Sequence, residues 1–153
     1  MRDIDLIEFI GKGNLGCIGL KSNKTEVKKV FGQPKHINRF MEGYGLEPIA
    51  WVYDNLYFGF DEQDKNVKTI GIVSHKEKII EPSVGNFIKL ISHGIKFGMQ
   101  PEEIEKLLEN YDLFYIEKLQ WDYDGWEYKY SSGVCVYFQG DLNKQAPLFE
   151  ISI

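Results

Sequence analysis

Residues 22 to 34, SNKTEVKKVFGQP, spell out one short helix with its start, its apolar stripe and its stop. Asn23 supplies a side-chain oxygen for the unpaired N–H groups of the first turn. Glu26, three residues on, is placed to reach back to the Asn23 N–H, the spacing of a capping box. Val27, Val30 and Phe31 share one face. Gly32 takes a left-handed conformation cheaply and Pro34 forbids continuation. A helix of about two turns has little stability of its own, so its stripe must be buried on something else.

A second copy of this plan lies at residues 99 to 110, MQPEEIEKLLEN. Gln100 precedes the helix, Pro101 takes its first position and Glu103 its third, and Ile104, Leu107 and Leu108 form the stripe. Asn110 is the expected left-handed stop. The residues leading in also agree, IGLKS against IKFGM. After each helix the apolar period changes from 3.6 to 2, as where helix gives way to strand. In the first half Asp54-Asn55 reads as a tight turn, Leu56, Phe58 and Phe60 as one strand face, and Ile70 and Ile72 as the next strand. In the second half Ser131, Ser132 and Gly133 make the turn, Val134, Val136 and Phe138 the strand, and Phe149, Ile151 and Ile153 the last strand. Asp124-Gly125, within WDYDGWEY, predicts a further hairpin with a two-residue turn. Val84, Phe87, Leu90 and Ile91 fall at helical spacing in EPSVGNFIKLISHGI and predict a helix between the halves, ending at Gly94. Met41 to Pro48 reads as a loop, and its two glycines permit a hairpin instead.

The expected fold is therefore α+β: two tandem α-then-antiparallel-β-meander repeats, residues 1–75 and 76–153, packed as one unit with helices on one face of a curved sheet. No Gly/Ser-rich linker separates the halves, and one half alone would have a thin core.

With 153 residues, 43% hydrophobic and 27% charged, the chain has the composition of a soluble globular domain. No membrane span or export signal is expected. Cys17 and Cys135 are too few for a disulfide framework and lie outside any CxxC spacing, which points to reduced thiols in a cytoplasm. His36, His75 and His93 stand apart, so no metal site is expected, and no other cofactor. A net charge of −5 repels phosphate backbones and favours basic partners.

Gly11 to Gly16, GKGNLG, satisfies GxGxxG. A dinucleotide loop needs a helix directly after the third glycine and a parallel sheet around it. Here CIGLKS follows, a strand or turn, and the strands are expected to be joined by hairpins, so the segment reads as a flexible loop. Ser92, Ser131 and Ser132 lie in no GxSxG elbow, and Ser92 and His93 are chain neighbours. A glycosidase-like carboxylate pair is a matter of spatial separation, which a sequence does not show.

The more informative pattern is rings beside carboxylates. Trp121, Asp122, Tyr123, Asp124, Trp126, Glu127, Tyr128 and Tyr130 crowd the second hairpin, and Trp51, Tyr53, Asp54 and Tyr57 the first, with Asp61, Glu62 and Asp64 nearby. Strand alternation forbids burying them all in one core. If Phe58 and Phe60, or Val136 and Phe138, point toward the helices, Tyr57 and Tyr137 point away. Rigid rings there would anchor a partner and carboxylates would meet its Lys or Arg. The expected partner-binding set is Trp51, Tyr53, Tyr57, Asp61, Glu62, Trp121, Asp122, Tyr123, Asp124, Trp126 and Tyr137. The competing structural reading is that the rings fill two small cores.

IGLKSNKTEVKKVFGQP with LYFGFDEQDKNVKTIGI, and IKFGMQPEEIEKLLEN with VCVYFQGDLNKQAPLFEISI, give twice a short helix carrying an E-V or E-I pair and then a meander. This resembles the beta-lactamase inhibitory proteins and the related outer-membrane assembly lipoprotein BamE. A lipid-bearing cysteine signal and the cysteines for the secreted inhibitors' disulfides are both missing from the pattern. Small acidic proteins of this plan are also similar to intracellular immunity proteins encoded beside bacterial toxins. The resemblance implies a non-enzymatic, cytoplasmic inhibitor that occludes the active or substrate-binding site of a basic toxin, binding neither nucleic acid nor membrane. The rival readings are a small-ligand or carbohydrate module that stacks sugars on the same rings, and an enzyme using a carboxylate pair.

Overall fold

In chain order the elements are β1 (Arg2–Asp5), α1 (Leu6–Lys12), α2 (Lys24–Phe31), β2 (His36–Arg39), β3 (Ile49–Tyr53), β4 (Leu56–Phe60), β5 (Val67–Val73), β6 (Ile88–Ile91), α3 (Pro101–Glu109), β7 (Glu117–Trp121), β8 (Gly125–Lys129), β9 (Cys135–Gln139) and β10 (Leu148–Ser152). The structure is a computed structural model that describes residues 2–39, 49–61, 63, 65–74, 88–121, 125–140 and 148–153.

Local chemistry sets the helix ends. In α2 the Asn23 side chain accepts from Glu26 N at 3.0 Å and Glu26 Oε2 accepts from Asn23 N at 2.7 Å, the capping box expected from the sequence. The helix stops at Gly32, whose φ is 78°. In α3 Glu103 Oε2 accepts from Gln100 N at 2.8 Å and Pro101 takes the first position. Its stop differs from expectation: Asn110 stays right-handed, and Asp112 is the left-handed residue, with φ 58°. Asp112 N then donates to Glu109 O at 3.0 Å and Leu113 N to Leu108 O at 3.1 Å, the two bonds of a Schellman motif. Helix α1 was not expected at all. Asp5 caps it by accepting from Glu8 N at 3.1 Å, Leu6, Phe9 and Ile10 are its buried face, and Gly13, at φ 77°, ends it.

Eight strands form one antiparallel sheet in the order β2-β3-β4-β5-β10-β9-β8-β7, two four-stranded meanders joined where β5 pairs with β10. Opposed residues of an antiparallel pair share a face, so register assigns every side chain. Leu56, Phe58, Phe60, Ile70, Ile72, Tyr128, Val136, Phe138 and Ile151 point to one side and are buried there. They form a single core with Leu6, Phe9 and Ile10 of α1, Val27 and Phe31 of α2, and Ile104 and Leu108 of α3. All three helices therefore pack on that side. Tyr57 and Tyr137 point away, as alternation requires. A bulge interrupts each meander, where Gly59↔Thr69 is followed by Phe60↔Val67 and Tyr137↔Glu150 by Phe138↔Leu148. Such bulges bend a strand and tighten its twist.

Other differences from expectation have simple causes. The predicted helix between the halves is, over its described part, strand β6, paired in parallel with β1 from Arg2↔Ile88 to Asp5↔Ile91. Val84 and Phe87 lie outside the described residues, and Leu90 and Ile91 by themselves suit a helical stripe and a short strand equally well, so only the distant partner decides between them. The hairpin at WDYDGWEY is present, but Trp121 pairs with Gly125, which makes Gly125 the first residue of β8 and not a turn residue. Residues 122–124 between them lie outside the described residues, as do 40–48, which hold the expected loop, and the boundary between residues 75 and 76. Gly11 lies in the last turn of α1 and Gly13 caps it, so a helix leads into the motif instead of following Gly16. Among the described residues no helix is long and apolar enough to cross a membrane.

Candidate functional site

On the sheet face away from the helices, Tyr137 of β9 stands directly between two carboxylates, opposite Glu127 on β8 and Glu150 on β10. Trp121 on the edge strand β7 closes on it, ring centroids 5.5 Å apart, and Phe149 completes a triangle at 6.4 Å from Trp121 and 6.2 Å from Tyr137. Phe149 reaches this face because it is the extra residue of the β10 bulge. The indole N–H of Trp121 donates to Glu127 Oε2 at 3.3 Å. Tyr57 enters from the other meander and donates its hydroxyl to Glu150 Oε1 at 2.7 Å. Both outer rings lie over a glycine: Tyr57 covers Gly71, and a Cβ on Gly125 would come within 2.7 Å of the Trp121 ring.

Burial sets the protonation of this surface. It pushes the Tyr57 phenol well up, with the Glu150 charge adding to it, and pushes Tyr137 up with help from Cys135 and Glu127. The Cys135 thiol, opposite Ser152 and only 8% exposed, is pushed up to about 11 by burial first and by Glu127 second. These groups are therefore hydrogen-bond donors at neutral pH and poor nucleophiles. Among the described residues no three His, Cys, Asp or Glu side chains gather as a metal site requires. What the arrangement does offer is a cluster of mutually inclined rings with two carboxylates beside it, suited to an apolar contact edged by cations.

The expected partner-binding residues divide by strand face. Tyr57, Trp121 and Tyr137 come together on this outer side. Trp51, Tyr53 and Trp126 do not: they pair with Phe58, Leu56 and Phe138, all inward residues. Tyr53 is 6% exposed and donates to Gly32 O at 3.0 Å. Trp51 packs edge-on against Phe60 at 5.1 Å, with the Lys24 ammonium 5.2 Å from its ring. Trp126 is roofed by the Lys118 ammonium at 4.5 Å. Asp61 is used by its own loop, accepting from Lys65 N at 2.9 Å and Asn66 Nδ2 at 3.2 Å, and the Lys65 backbone bond holds its carboxyl below the usual range. Glu62, Asp122, Tyr123 and Asp124 lie outside the described residues. Glu127, Phe149 and Glu150 are the members the sequence reading left out of the set. Glu127 stands beside the hairpin in the sequence itself, whereas Glu150 becomes a neighbour of Tyr57 only through the β5–β10 pairing.

A second polar group joins residues that lie far apart in the sequence. His93 Nε2 lies 2.8 Å from Asp5 Oδ2, and Tyr111 Oη lies 3.3 Å from His93 Nδ1. His93 sits at φ 52°, just after β6, and Asp5 is the cap of α1. The line of three ties β1, β6 and the end of α3 together. Asp5 and Tyr111 thus hold the two ring nitrogens of His93 from either side.

Comparison of the chain with family models, with curated proteins and with solved structures yields no match.

Proposed function

We propose that the chain is a non-enzymatic, cytoplasmic protein-binding inhibitor, an immunity protein that occludes the active or substrate-binding site of a basic toxin. In this reading its scaffold is a tandem duplication of residues 1–75 and 76–153, of the kind found in the beta-lactamase inhibitory proteins. The observation that carries the binding role is the outer cluster of Trp121, Tyr137 and Phe149 with Glu127 and Glu150 set into it. Rings of this type are the usual anchors of protein interfaces, and carboxylates among them select cationic partners and speed their encounter. The overall charge of −5 acts in the same direction.

The register at the junction supports duplication. Ile70, Gly71 and Ile72 correspond to Ile151, Ser152 and Ile153 when the two bulges are aligned. Gly71 pairs with Ser152 and Ile72 with Ile151, while Ile70 and Ile153 exchange backbone bonds of 3.1 and 2.9 Å. Each strand thus meets its own counterpart about a local twofold axis, the relation found in an isologous dimer interface.

Affinity capture from the native cells, with the wild-type chain and a Trp121→Ala/Tyr137→Ala variant, tests the binding role. A basic protein held at low salt, released by salt and lost with the two rings is the expected result; equal capture by both chains would sink it. The same pair on a glycan array separates the carbohydrate alternative, whose binding would be indifferent to salt.

A further inference from the structure

On the helix side of the sheet, α3 and the chain after it enclose a cleft of about 300 Å³ lined by Glu105, Glu109, Leu113, Phe114, Tyr115 and Tyr130. Two carboxylates alone would be an ordinary helix surface, Glu105 and Glu109 lying one turn apart. Tyr130 makes the difference. It is 2% exposed, it lines the cleft, and among the described residues its hydroxyl has no hydrogen-bond partner. Its oxygen is not one of the buried unpaired atoms, which among the described residues comprise Asn55 Nδ2 alone, so it opens to the cleft and is left to accept from whatever enters.

The molecule contains its own control. Tyr53 sits at the matching point of the first meander, next to the turn into the following strand, and its hydroxyl is satisfied by Gly32 O at the end of α2. At the end of α3 the chain runs on to Asp112 before it turns, and Leu113 to Tyr115 stand off to leave the cleft. Phe114 is 61% exposed and Tyr115 36% exposed, although Tyr115 also packs on Tyr128 at 4.9 Å. Lys118, a cation of the chain itself, feels Glu105 but lies over Trp126 and Tyr128, at 4.5 and 5.1 Å, and among the described residues makes no ion pair with either carboxylate.

We propose that this cleft receives the guanidinium of an arginine side chain from a partner protein. A planar group with five donors matches two carboxylates and a phenol oxygen at once, and it stacks on aromatic faces, which a lysine ammonium does less well. A volume near the lower end of ligand pockets suits one side chain. The cleft and the outer ring cluster are on opposite sides of the sheet, so this inference stands or falls apart from the proposed inhibitor role.

The test is a two-dimensional NMR titration of the full chain with N-acetyl-Gly-Arg-Gly-amide and with matched peptides carrying citrulline or lysine. Saturable shifts at Leu113, Phe114, Tyr115 and Tyr130 are expected, at least several-fold tighter for arginine than for the other two. Glu105→Gln/Glu109→Gln should abolish them, and Tyr130→Phe should weaken them while leaving the thermal melt unchanged. Equal binding of citrulline or lysine, no shifts at these residues, or full binding by the double glutamine variant with native circular dichroism would overturn the proposal. Free arginine amide binding as tightly as the peptide would point to a small-molecule ligand and overturn the partner assignment.

Discussion

Tyr57 fills the space that a side chain on Gly71 would need. The two residues face each other across β4 and β5, and the phenol continues to Glu150 on β10. One ring thereby spans the junction at which the two meanders meet.

Gly71→Ala should therefore destabilise the fold by about 1–3 kcal/mol through overpacking, read from the midpoint of urea unfolding. In a Tyr57→Ala background the same change should cost much less or become favourable, since alanine is less costly than glycine within a strand. A double-mutant cycle measures the coupling, and additivity of the two changes would show that the contact carries no energy.

Tyr53 and Tyr130 should respond differently to loss of the hydroxyl. Tyr53→Phe removes a bond to Gly32 O and should cost about 0.5–1.5 kcal/mol. Tyr130→Phe removes a hydroxyl with no partner among the described residues and should fall within about 0.5 kcal/mol of zero. Thermal melts of the two variants, run side by side, check the pair.

Thiol chemistry should separate the two cysteines. Cys17 is exposed, while Cys135 is 8% exposed with its thiol pushed up to about 11. A disulfide reagent at mildly alkaline pH should consume one thiol quickly and the second only on unfolding. Cys17→Ser should remove the fast phase, and a surviving fast phase would place Cys135 in solvent.

Acid should loosen the tie between Asp5 and His93. Partial burial pushes the Asp5 carboxyl up, but the hydrogen bonds from His93 and the Glu8 N–H outweigh it and hold the group below its usual value of 3.8. A depressed folded-state value means that the stabilisation is complete above the unfolded value and is lost as pH falls through the folded one. Urea midpoints between neutrality and strong acid should show that loss in the wild type. Asp5→Asn should flatten it while still capping α1.

Where the sequence was legible, local chemistry decided the outcome. The N-terminal caps of α2 and α3, the Asp54-Asn55 turn and the alternation of Phe58 and Phe60 against Tyr57 depend on residues a few positions apart. Helix α1 carries the same kind of signal in Asp5, Glu8, the Leu6-Phe9-Ile10 stripe and Gly13, but Gly11 and Gly13 are equally compatible with a loop over the same residues. The outer cluster was half legible. Alternation predicts that Tyr57 and Tyr137 share a face once Phe58 and Val136 are inward. Nothing local says that Trp51 and Trp126 are inward too, because that follows from strand register. Glu150 meeting Tyr57, Phe149 turning outward at a bulge, and β6 lying beside β1 all depend on partners far away along the chain.

Those distant pairings also impose an order of events on folding. Strand β5 has one sheet neighbour from its own meander, and its other neighbour is β10, which lies beyond the whole of the second meander. Strand β1 likewise waits for β6. During synthesis the first meander must stand with the bare backbone of β5 exposed, a template for the wrong strand as readily as for the right one. Closing such long loops before any contact rewards them makes folding slow, and a chaperone that shields Val67 to Val73 would meet its greatest need in that interval.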